Sequence, residues 1–201
     1  MKKSLLIGII SLAAGAATSF GQGFIWLDNY DSTAHPIISY GPGSGGSGPL
    51  GTGFTVGMYI GAGALTLPSD PSGFADPSIL NPSLVFASGA GGTALSAGPL
   101  VFGTLGQYAS SVDYQPGLGV GQTITVVLVV FNGANYDASL IRGHGAAFQM
   151  TTSVGTAFPT YTGDASGGAG AFQTLPVPEP TTLALAGLGG LSLLLFRRKK
   201  A

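Results

Sequence analysis

Two residues of this chain have the types that acid and base chemistry needs: Asp137 and, seven positions on, His144 in Gly-His-Gly. With a serine as nucleophile they would make an acyl-transfer site. That chemistry needs the serine on a sharp turn of the form GxSxG, and none of the serines sits in one. A separation of seven also imposes no geometry. His144 is therefore expected to be an exposed turn residue, as is His35 before Pro36, and no enzymatic activity is expected. Two imidazoles without cysteine do not assemble a zinc-type centre. Asn132, Asn135 and Asp137 in FNGANYD offer hard oxygens suited to calcium, and Asp28, Asn29 and Asp31 in LDNYD do the same. Neither stretch follows a calcium-loop pattern, and turn chemistry accounts for both.

Other patterns carry less. Gly41, Gly43 and Gly46 spell GxGxxG, but a dinucleotide site needs a strand before it, a helix after it and an acid about twenty positions on. Here Pro49 and more glycine follow, so no cofactor is expected. Tyr108, Tyr114, Tyr136 and Tyr161, if exposed, could stack on sugars, or they could pack the edges of a sandwich.

The elements that would position these residues are expected to be strands. Between Gln22 and Pro176 the chain has seven Asp and one cation, Arg142, with no Lys or Glu, a formal charge of −6 against −1 for the whole sequence. An acidic body gives phosphates nothing to bind, which excludes nucleic acid as a partner. Glycine is abundant in it, and short Val, Ile, Thr, Phe and Tyr segments are cut by Gly and Pro. Cysteine is absent, so no disulfide framework is available. In FTVGMYI, Phe54, Val56, Met58 and Ile60 share one face, and in AFQMTTSV so do Phe148, Met150, Thr152 and Val154; both predict half-buried strands. QTITVVLVVF is apolar on both faces from Val126 and predicts the central strand. Weaker strands are expected at 24–28, 37–40, 84–87, 100–102 and 111–114. Asp76, Pro77 and Ser78 can open one helical turn ending near Leu80. The fold class is thus mainly β, an antiparallel β-sandwich with Gly-rich loops, occupying 22–160. Residues 41–53 are expected to be a flexible loop and 161–176 a Gly- and Ser-containing tether.

Both ends look membrane-directed. Lys2 and Lys3 precede an apolar stretch and then small residues, which predicts a signal peptide over 1–21. Thr181 to Phe196 is sixteen uncharged residues, roughly 24 Å as a helix, followed by Arg197, Arg198, Lys199 and Lys200. A short span with a basic stop-transfer tail is expected, with everything between the two apolar segments exported.

Just before that span stand Pro178, Glu179 and Pro180. The order of Pro-Glu-Pro, apolar run and basic cluster closely resembles the PEP-CTERM sorting signal of exopolysaccharide-producing bacteria, over 177–201. The resemblance implies recognition by an exosortase, a membrane-embedded cysteine transpeptidase-like enzyme, and removal of the tail near Pro178, Glu179 and Pro180. The chain would then be a non-enzymatic substrate, first anchored in the inner membrane and then delivered to the cell envelope or extracellular matrix. The membrane, the exosortase and exopolysaccharide are its expected partners. The alternative is a carbohydrate- or calcium-binding module carrying the same signal.

Overall fold

The computed structural model describes residues 23–29, 37–51, 53–87, 100–102, 106–110, 114–154, 160–161 and 171–178. The expected signal peptide, Asp31, His35, Glu179, Pro180, the span at 181–196 and the basic tail at 197–200 lie outside them. In chain order the elements are β1 (Trp26–Leu27), β2 (Ile38–Tyr40), β3 (Thr55–Ala62), α1 (Pro77–Leu80), β4 (Val85–Phe86) and β5 (Leu100–Phe102). They continue with β6 (Tyr108–Ser110), β7 (Thr123–Phe131), β8 (Ile141–His144), β9 (Phe148–Thr151), β10 (Thr160–Tyr161) and β11 (Phe172–Pro176). Among the described residues no helix is long and apolar enough to cross a membrane.

β7 organises the sheet because it is apolar on both faces, and a strand buried on both faces must sit in the middle. β3 runs antiparallel along it from Thr55 opposite Phe131 to Ala62 opposite Ile124. Its other side is shared: β8 pairs with the C-terminal half and β9 with the N-terminal half, so 141–151 is one strand interrupted at 145–147. The order across the sheet is β2-β11-β8-β7-β3-β4, with β9 beside β7.

Side chains alternate across β7, as the two-residue period of a strand requires. Ile124, Val126, Leu128 and Val130 face a core completed by Val56, Met58 and Ile60 of β3 and by Ile25, Leu27, Tyr108 and Tyr114 from outside the large sheet. Val127, Val129 and Phe131 face the opposite way, against Tyr59, Leu84, Phe86 and Tyr136. Each fully buried aliphatic side chain contributes about 1.5–3 kcal/mol, so this single strand supplies a large share of the stability. Gly57 is needed on β3 because a Cβ there would stand 2.6 Å from Cζ of Phe86, whose ring lies across the strand.

The class is mainly β, and the central strand, β9 and the one-turn helix lie where the sequence put them. Asp76 caps α1 through Oδ1, which accepts from Ser78 N at 2.7 Å. Four expectations need correction. The pairing is mixed rather than antiparallel, because β11 runs parallel to β2 and β1 parallel to β10. β3 is buried on both faces rather than half-buried, since a second layer of loops covers its Tyr59 side. Of the strand expected at 111–114, residues 111–113 lie outside the described residues and Tyr114 bridges Ile25. Residues 172–176, placed in the tether, form β11 between β2 and β8. The loop at 41–53 is tied down: Leu50 N donates to Ile38 O, and the buried Ser44 Oγ donates to Thr174 O at 2.7 Å.

Candidate functional site

The second face of β7 carries the titratable residues. β8 approaches β11 closely enough that a Cβ on Gly143 would collide with Gln173 O. The next residue, His144, ends β8 with its side chain only 8% exposed, correcting the expected exposed turn. Its backbone N donates to Gly73 O, and the ring reaches the same loop. Nε2 lies 3.0 Å from Asp70 Oδ2, and Nδ1 lies 2.9 Å from Gly145 O. His144 thus clasps the 70–76 loop to the end of β8.

Asp70 is the receiving end of that clasp. Its Oδ1 accepts from Ser72 N and Ser72 Oγ, and its Oδ2 from Ala75 N at 2.9 Å. Burial pushes the carboxyl up, but the hydrogen bonds from Ser72, Ala75 and His144 outweigh it and hold Asp70 well below the usual carboxylate range. Asp76 repeats the design six residues on, taking Ser78 N and Oγ on one oxygen and the Tyr59 hydroxyl at 3.0 Å on the other. Desolvation opposes ionisation there too, and the Ser78 bonds lead those that bring Asp76 below its ordinary value. Burial raises Tyr59 most, with the Asp76 charge adding to it. Asp137 moves up instead, through desolvation and then its hydrogen bond and repulsion with Asp76.

The structure separates the proposed acid and base: His144 meets Asp70, whereas Asp137 meets Arg142 at 3.4 Å. Arg142 also donates to Tyr136 O at 2.7 Å and lies 4.9 Å from the centroid of that ring. The calcium candidates do not converge. Asn132 Oδ1 accepts from Ile141 N, and Asn135 Oδ1 accepts from Ala138 N, so both oxygens serve the β7–β8 turn. Asn29 spans two loops, donating to Gly106 O and accepting from Tyr108 N. Asp28 accepts from Trp26 Nε1 at 3.0 Å. Among the described residues no group of three or more His, Cys, Asp or Glu is placed to hold a metal. Gly41 and Gly43 lead into the anchored loop and not into a helix. Tyr108, Tyr114 and Tyr136 are buried, which fits the packing alternative, and nothing is described of the Tyr161 side chain.

Sequence reasoning missed Asp70, Asp76 and Tyr59. The repeated Asp-Pro-Ser was the available signal, and it pointed only to capping; the second use of each carboxylate depends on residues 17 and 74 positions away. A cavity of about 580 Å³ opens where 141–151 is interrupted, walled by Leu65 to Asp70, Gly73, His144 to Ala147 and Gln149. A second, of about 440 Å³, shares Gly73 and His144 with it and reaches Phe172 and Leu175 of β11.

β11 also sets how the chain leaves the body. Pro176 lies opposite Ile141, and one residue later Val177 N donates to Leu140 O at 2.7 Å. Pro178 is exposed and is the last described residue. The folded ladder therefore continues to the residue before Pro-Glu-Pro.

A family model described as the PEP-CTERM protein-sorting motif matches residues 176–199. No curated protein and no solved structure matches the chain. The motif is a signal recognised by an exosortase-type enzyme, and it implies export, a membrane-anchored precursor and processing.

Proposed function

We propose that this chain is an exported, non-enzymatic surface or exopolymer-matrix protein, whose body is a two-layer β-sandwich and whose tail is cut off by an exosortase-type enzyme. The observation that carries the proposal is the sorting motif over 176–199, starting where β11 ends. Glu179 between two prolines is the recognition element. Proline fixes φ and biases the residue before it away from helix, so Pro178 and Pro180 keep the acid on an extended segment ahead of the apolar run. The span at 181–196 and the cations at 197–200 hold that segment at the membrane, and the signal peptide at 1–21 starts export. The body is cargo. Its ionic pairs and loop clasps stabilise a domain that has no disulfides available.

Replacing Glu179 and Pro180 by Ala in the native host tests this. Export and membrane insertion should persist while an uncleaved form accumulates, read by mass spectrometry of the mature C-terminus. Trimming of the double variant like wild type, or wild type retaining Phe196 to Ala201, overturns the proposal in favour of a plain tail anchor.

A second reading, a carbohydrate-binding module, draws on the cavity beside His144, which mixes apolar Leu65, Leu67 and Ala147 with polar Thr66, Ser69 and Gln149. Retention of the body on immobilised host exopolysaccharide, abolished by Gln149→Ala, tests it.

A further inference from the structure

Three residues, Pro178 to Pro180, separate Val177, which donates the last backbone hydrogen bond among the described residues, from the first residue of the proposed span. Fully extended, they cover roughly 10 Å, at 3.3–3.6 Å per residue. An enzyme that grips an extended Pro-Glu-Pro within that length also meets the folded body. The end of the sheet it meets is defined by pairing. Ile141 lies opposite Pro176, Asn132 N donates to Ile141 O, and a Cβ on Gly43 would stand 3.1 Å from the Pro176 ring. Leu140 stands beside the exit with 57% of its surface exposed. Around it Asn132, Ala134 and Ala138 are exposed and uncharged, and Asp137 is paired with Arg142, the single cation between Gln22 and Pro176. This end thus combines an exposed apolar side chain with a carboxylate ion-paired to the body's one cation, on a body whose formal charge is −6.

We propose that this end of the sheet, centred on Leu140, is a docking surface for the membrane-embedded processing enzyme, so that the enzyme reads the motif together with the fold that presents it. The inference rests on the processing reading above and adds a second contact to it. A surface with an exposed apolar side chain and its exposed carboxylate ion-paired suits a partner lying at the membrane interface, whereas a bare acidic surface would be repelled by anionic headgroups. Leu140 O accepts from Val177 N, so its side chain moves with the exit strand.

The test uses the full chain in its native host, with processing followed by pulse-chase and mass spectrometry. Leu140→Asp should slow tail removal by about fivefold or more, the loss expected for an anchor residue at an interface. Inserting a twelve-residue Gly-Ser lead between Val177 and Pro178 should abolish that sensitivity, because the enzyme then reaches the motif without touching the body. Resistance of the body to added protease confirms that Leu140→Asp folds; should it not fold, Leu140→Gln takes its place with the same expectation. Processing of the folded Leu140 variant at the wild-type rate overturns the docking surface while leaving the sorting reading intact. An equal slowing with and without the lead overturns it as well. Failure of wild type itself to be cleaved removes the sorting reading and this inference together.

Discussion

The two faces of β7 are held in different ways. On one, Ile124, Val126, Leu128 and Val130 meet aliphatic and aromatic neighbours from β3, β9 and the segments outside the large sheet. On the other, Val127, Val129 and Phe131 meet rings arranged edge to face: Tyr59 with Phe86 at 5.2 Å and 82°, and Phe131 with Tyr136 at 6.0 Å and 90°. Around those rings lie the ionic contacts of Asp70, Asp76, Asp137, Arg142 and His144. The first face depends on area removed from water, which is non-directional. The second must hold loops in place, and loops without regular pairing need directional bonds to particular atoms. A short Gly- and Pro-rich chain without disulfides thus uses one strand to support both kinds of packing.

The largest effect should come from the dry face. Leu128→Ala, at a fully buried position, is expected to cost about 3 kcal/mol in denaturant unfolding, transfer and cavity terms together. Asp70→Asn should cost less, about 2 kcal/mol, since the amide oxygen keeps some bonds while the charge-assisted ones are weakened. A cost above that of Leu128→Ala would mean that the loops, and not the aliphatic core, dominate the stability.

The same residue separates the faces by pH. Asp70 has a folded value below its ordinary 3.8, so the unfolded chain binds its proton first. Its stabilisation is complete above the unfolded value, about 4, and is lost as pH falls through the window beneath it. Melting temperature should therefore drop for wild type on acidification below about pH 4 and drop less for Asp70→Asn, whereas Leu128→Ala should keep the wild-type slope.

Asp76→Ala removes the cap of α1 and the acceptor of Tyr59, with an expected cost of about 1–2 kcal/mol. The smallest effect is expected at Tyr136, whose hydroxyl is buried without a hydrogen-bond partner among the described residues. Tyr136→Phe should leave stability unchanged or raise it by up to about 1 kcal/mol. A loss larger than that would give the hydroxyl a role in the polar face.

Much of the fold could be read ahead of the structure where the pattern was local and long. Nine apolar-rich residues made β7 legible, the alternation in AFQMT made β9 legible, and Asp-Pro-Ser marked α1. β11 was hidden because FQTLP is only five residues with one buried position, Thr174, and follows a Gly-rich stretch. β8 was hidden because IRGH has neither alternation nor β-branched enrichment beyond Ile141. Of the candidate site, His144 and Asp137 were visible as residue types, but their partners were not. Asp70 lies 74 positions from His144, and no periodicity links them.

By itself the sequence determined the mainly β class, the acidic body between basic termini, and the C-terminal sorting motif, because each depends on composition or on contiguous residues. Only the tertiary structure decided that β11 runs parallel to β2 and antiparallel to β8, carrying the fold to within one residue of Pro178. It also decided that His144 clasps a loop through Asp70 while Asp137 turns to Arg142. Those outcomes depend on which edges and oxygens are left to be satisfied once β7 has taken its neighbours, and unsatisfied backbone and carboxylate groups find partners by proximity in space, not in sequence.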